Sequence, residues 1–149
     1  MPRGYLTLLR RKKEMAYIHL YQGNPTAGGA NGTQVSEDNS GSQAVSFTLN
    51  ATNNEIGAAM KLALRCDSGY QTQSGQNTVV SFLGTTNAKW EVADDNAGSP
   101  GTWGSSLTIS AQIGATNKII WVRARATSDE TPVNDTSVDI KVDATIEAV

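Results

Sequence analysis

The chain has one cysteine and one histidine in 149 residues. The single thiol, Cys66, forms no internal disulfide, so the fold does not depend on an oxidising compartment. With His19 as the only imidazole, the chain offers no His/Cys set for a zinc-type centre. A Cys–His nucleophilic pair has one candidate, Cys66 with His19, and no motif surrounds either. No apolar run approaches the roughly 18–20 residues of a membrane-spanning helix. There is no Gly-x-Ser-x-Gly elbow and no Gly-x4-Gly-Lys phosphate loop. The glycine stretch Gly28-Gly29-Ala30-Asn31-Gly32 lacks the strand-then-helix setting in which such a loop cradles phosphate. The expectation from these absences is a protein that is not an enzyme, with no catalytic residues, no cofactor and no metal.

Charge is sparse and uneven. The net charge is −2, but Arg3, Arg10, Arg11, Lys12 and Lys13 stand against Glu14 alone in the first fourteen residues. The remainder carries seven basic and thirteen acidic side chains, a balance of −6. An acidic body argues against nucleic acid as the partner, since phosphate neutralisation needs clustered Lys and Arg.

Residues 1–14 differ from the rest of the chain. A signal peptide fits poorly, because the charges come after the short apolar run and no small-residue cleavage site is present. A basic arm for nucleic acid or an acidic partner is a second reading. The favoured reading is a translated leader. Arg-Arg-Lys-Lys-Glu-Met can be encoded by a purine-rich ribosome-binding site with a start codon after it, which would make Met15 the initiator. Residues 1–14 are then expected to be disordered or loosely helical.

What the chain does have is β-chemistry. Gly, Asn, Ser and Thr are frequent and apolar content is modest, which suits short strands joined by turns. At the C-terminal end Val138, Ile140, Val142, Ala144 and Ile146 alternate with Asp139, Lys141, Asp143, Thr145 and Glu147. That period of two marks a half-buried strand. The run 118–127 precedes it across the polar connection 128–135, and the two are read as the closing strands of an antiparallel sandwich. Upstream, residues 16–21 form a first strand. Residues 22–43, rich in glycine and almost without apolar residues, form a long loop or an arm that orders on a partner. Ala44–Ala51 places Val45, Phe47, Leu49 and Ala51 on one face. Met60, Leu62, Leu64 and Cys66 define another strand, with a short helix over 58–64 as the alternative. Residues 67–77 read as a loop and 78–83 as a strand. In 88–93 Trp90 and Val92 point inward, 94–101 is turn chemistry, and Leu107, Ile109, Ala111 and Ile113 share a face. Strands about ten residues apart, separated by turn signals, predict an all-β fold: an Ig-like antiparallel sandwich of seven to nine strands. The chain divides into the leader 1–14, the first strand and glycine-rich arm 15–43, and the sandwich 44–149.

Two acidic loops carry oxygen ligands: Asp94, Asp95 and Asn96, and Asp129, Glu130, Asn134 and Asp135. Neither matches a calcium-loop spacing, so solvated turns are the reading set against a calcium site. Trp103, within Ser99–Gly104, is either an exposed contact for glycan or protein or a core-edge ring. Trp121 shares a face with Ile119, Arg123 and Arg125, which suggests a sheet edge or a surface for an acidic neighbour.

The segments Ala88-Lys89-Trp90-Glu91-Val92-Ala93, Gly98–Gly104 and Thr127–Asp135, with the start Met15–Gly29, resemble small Ig-like structural proteins of tailed bacteriophages and prophages, capsid decoration proteins among them. The resemblance covers most of residues 15–149. It implies a virion protein without catalysis, made in the host cytoplasm and carried on the particle. Its partners would be capsid or tail proteins or further copies of itself, with no nucleic acid or membrane. The alternative is a tail, baseplate or surface module binding carbohydrate or a receptor.

Overall fold

The structure is a computed structural model and describes residues 3–4, 6–9, 17–37 and 43–149. In chain order its strands are β1 (Arg3–Gly4), β2 (Leu6–Leu9), β3 (Ile18–Gln22), β4 (Thr33–Gln34), β5 (Val45–Ser46), β6 (Met60–Cys66), β7 (Tyr70–Thr72), β8 (Thr78–Leu83), β9 (Trp90–Asn96), β10 (Ser99–Pro100), β11 (Ser106–Ile109), β12 (Lys118–Ala124), β13 (Asp139–Asp143) and β14 (Ile146–Ala148). Two 3₁₀ turns, at Ala51–Asn53 and Asn87–Lys89, are the only helical elements among the described residues.

Two principal sheets form, one of six strands in the order β10-β9-β12-β6-β3-β4 and one of four in the order β11-β8-β13-β2. Two small sheets, β1-β5 and β14-β7, complete the set. Among the described residues all strand pairings are antiparallel except β2 with β13. These two strands lie far apart in the chain, so no hairpin dictates their relative direction.

The period-two patterns decide which face is inner. Ile18 and Leu20, Leu62 and Leu64, Trp90 and Val92, and Ile120 and Val122 line the inner face of the larger sheet and are buried. Val80, Phe82, Ile109, Ile140 and Val142 do the same for the smaller sheet, and all belong to one apolar cluster. Burying a side chain of this size contributes about 1.5–3 kcal/mol. Trp90 sits at the centre, edge-on to Phe47 with ring centroids 5.4 Å apart and tilted against Phe82 at 5.7 Å.

The all-β sandwich expected from the sequence is present, and several details differ. Short two- and three-residue strands take the number of strands beyond seven to nine. β12 and β13 belong to opposite sheets rather than to one pair, so residues 125–138 cross between the layers. The run 44–51 is in a ladder only at Val45–Ser46, although Val45 and Phe47 are buried as expected. Residues 60–66 are strand, not helix. The expected loop 67–77 contains β7, which pairs with β14. The expected turn 94–101 holds the end of β9 and a tight hairpin, with Ala97 at φ 51° and Gly98 at φ 91° at its tip. That double left-handed step matches strand twist in a two-residue hairpin. Ala111 is exposed because the chain leaves the ladder after Ile109. Ile113 still turns inward, held by its N–H donating to Thr72 Oγ1 at 2.7 Å.

Of the leader, Arg3–Gly4 pairs with Val45–Ser46 and Leu6–Leu9 runs beside β13. Most of the expected disordered or loosely helical leader, and residues 38–42 of the expected arm, lie outside the described residues.

Candidate functional site: the outer face of the six-stranded sheet

The outer face of the larger sheet is built from the alternate residues of β3, β6, β12 and β9. Half of it is covered. Tyr21, Ala63 and Ile119 are buried there, with Trp121 packed against them. The cover is the glycine-rich segment after β3. Its Gly28 N–H donates to Asn117 O at 3.0 Å, and Asn117 N–H donates to Gly29 O at 2.7 Å. The Asn117 side chain, itself buried, donates from Nδ2 to Thr26 O, Asn31 O and Asn31 Oδ1 at 3.0–3.1 Å. Arg65 donates to Asn31 O and Asn117 Oδ1, and its guanidinium lies 3.5 Å above the Tyr21 ring. The glycines serve close approach: at Gly32 (φ 118°) a Cβ would stand 3.0 Å from the Cβ of Tyr21. Within this stretch the Gly28 amide is engaged with Asn117 and the Gly29 amide with Thr26 O.

The segment then returns as β4 beside β3, and Val35 is fully buried with its N–H donating to Leu20 O. At its end Glu37 meets His19. His19 Nδ1 lies 2.6 Å from Glu37 Oε1, and Nε2 lies 3.2 Å from Asp67 Oδ1. Both ring nitrogens face carboxylates, an arrangement that suits an imidazolium donating twice. The hydrogen bond to Glu37 raises the His19 pKa above 6.5, against the opposing effect of burial and with further help from Asp67.

The other half of this face is half-buried beneath its own charged and aromatic side chains. Trp121 donates from Nε1 to Asp95 Oδ1 at 2.8 Å. Arg123 donates from Nε and Nη2 to Glu91 Oε1, each at 3.0 Å, and stacks 4.3 Å above Trp103. Lys118 pairs with Asp94. β12 therefore is not a sheet edge: it lies between β9 and β6, and the acidic neighbour of Arg123 on its basic face is Glu91 of this same chain. Arg125 is exposed beyond the end of β12, where it bridges to Ile56. Between Trp121 and residues 22–24 lies a shallow groove of about 450 Å³, lined by Gln22, Asn24, Met60 and Lys61 among others.

The other residues singled out in the sequence do not converge. His19 faces outward while Cys66 points into the core, where its Sγ contacts Ile113 O at 3.3 Å. Burial pushes the Cys66 thiol up to about 11. Asp94 and Asp95 are engaged with Lys118 and Trp121. Glu130 pairs with Lys89 at 2.8 Å, which lowers its pKa. Burial presses the Asp135 pKa upward, but hydrogen bonds from Thr86 and Ser137 outweigh it and the net shift is downward. Among the described residues no group of three or more His, Cys, Asp or Glu side chains is placed to hold a metal ion.

Sequence reasoning passed over Asn117, Arg65, Lys61, Glu37 and Asp67. Asn117 sits in Gly114-Ala115-Thr116-Asn117 and carries only a turn signal, while its partners lie 86 and 91 residues away. No protein-family model matches the chain, and no curated protein or solved structure is significantly similar to it.

Proposed function

We propose that the chain is a non-enzymatic structural protein of a tailed-phage virion, an Ig-like module that decorates or stabilises the capsid. The resemblance of 88–93, 98–104 and 127–135 to such proteins suggests the class. The observation that carries the docking role is where apolar surface is left over. Ile56, Leu83 and Val133 are 53%, 42% and 72% exposed. All three belong to one end of the sandwich. Ile56 bridges to Arg125 just past β12, Leu83 ends β8 opposite Asp139, and Val133 lies in the crossing between the layers. Beside them a small hollow of about 80 Å³ is lined by Phe47, Leu49, Pro132 and Val133 together with the charged Lys89, Arg125, Glu130 and Asp135. Three of the four large apolar residues exposed among the described residues gather at this end, the fourth being the terminal Val149 beside Gly69, and such a grouping suits attachment to a lattice.

The reading is tested on particles. Gradient-purified virions from the strain that encodes the chain should contain it at stoichiometric copy number by mass spectrometry. The double substitution Ile56→Asp with Val133→Asp should strip it from the particle without moving its unfolding midpoint. Virions that lack the protein altogether would end this reading.

A further inference from the structure

We infer that the groove beside Trp121 binds an acidic pyranose, a hexuronate unit of a polysaccharide. This does not rest on the virion reading. The Trp121 indole is held by the 2.8 Å hydrogen bond to Asp95 and by packing against the Tyr21, Ala63 and Ile119 cluster, so a restrained aromatic ring lines the groove. A pyranose presents a face of C–H groups that packs on such a ring. Preorganisation lowers the cost of binding.

Charge selects among sugars. Lys89, Lys118, Arg123 and Lys141 each have a carboxylate partner, whereas Arg65, Arg125 and Lys61 have none among the described residues, and of these three only Lys61 borders the groove. Lys61 lies on the outer face of β6, and no carboxylate lines the groove it borders. An uncompensated ammonium at an indole, in an otherwise acidic body, is complementary to a sugar bearing one carboxylate. Asn24 at the groove supplies an amide for hydroxyls, and Gln22, whose Nε2 already donates to Gln43 O at 2.8 Å, adds its amide oxygen as an acceptor. A volume of about 450 Å³ falls in the range of small-ligand sites.

Two other ligand classes fit less well. A peptide adding as a strand needs an unpaired edge, but β6 and β12 are paired on both sides. A nucleic acid needs several cations along its backbone, and the groove has one.

The test is a fluorescence titration of the full chain with oligogalacturonate, with a neutral cello-oligosaccharide and polyglutamate as comparisons. The inference expects saturable binding of oligogalacturonate alone, weakened by added salt. Lys61→Gln should lower the affinity by at least about tenfold, the loss of one charge-assisted contact. Trp121→Ala should abolish binding. Because Trp121→Ala also removes packing, Lys61→Gln with an unchanged unfolding midpoint is the deciding variant. Absence of saturable binding, equal binding of the neutral sugar or of polyglutamate, or full affinity in folded Lys61→Gln would each overturn the inference.

Discussion

At Gly84 a single methyl group would overlap the carbonyl oxygen of Ser137, and the backbone stands at φ 123°. Only glycine meets both demands, because it has no Cβ and tolerates positive φ. Gly84→Ala is therefore expected to destabilise the protein by about 2–4 kcal/mol in denaturant unfolding. A loss under about 0.5 kcal/mol would show that the chain around Ser137 yields freely. His19 gives a second expectation at this scale. Glu37 and Asp67 face its two nitrogens, Arg65 is its cross-strand neighbour on β6, and Tyr21 lies edge-on at 6.5 Å. Its folded pKa lies above 6.5, so the imidazolium adds stability that is fully present below that value. The contribution is lost as pH rises through the raised folded pKa. Unfolding free energies should thus fall as pH rises above about 6.5, and His19→Gln should flatten that slope. An equal slope in the variant would assign the pH dependence elsewhere.

The glycine-rich cover is where local pattern and outcome diverge. Residues 23–34 carry hardly any apolar side chain, so nothing in their own sequence says what they lie on. The cover is held by polar contacts to Asn117 and Arg65, which stand on other elements. Asn117→Ala removes two N–H donors that are shared among three acceptors, and leaves Arg65 without one acceptor. It is expected to cost about 2–3 kcal/mol. The loss should be local: amide hydrogen exchange should speed up at Gly28 and Val35 while Leu64 stays protected. Unchanged exchange at Gly28 would mean that the segment is held by other contacts. β7 was illegible for a related reason, since three residues between Gly69 and Gln73 carry no period. Its pairing with β14 depends on a partner at the other end of the chain. By contrast, β6 and β12 were legible because each presents seven residues of alternation across a half-buried sheet.

For the whole molecule, the inner faces of both sheets contribute to one apolar cluster with Trp90 at its centre. The larger sheet has a small second cluster of Tyr21, Ala63 and Ile119 on its outer face, but both inner faces share the one large core, so unfolding is expected to be a single transition. Far-UV circular dichroism and tryptophan fluorescence should give the same midpoint. Separated midpoints would show that the layers melt independently. What the chain determined locally is the inward or outward sense of each long strand and the all-β class, because side-chain alternation is a property of consecutive residues. Which strands are neighbours, that β2 runs parallel to β13, that the glycine-rich segment covers half a sheet, and that Trp121 and Lys61 meet at a groove were decided only in the tertiary structure. Each of these joins residues tens of positions apart, and local periodicity carries no information about which distant partner satisfies a backbone amide or shields an indole.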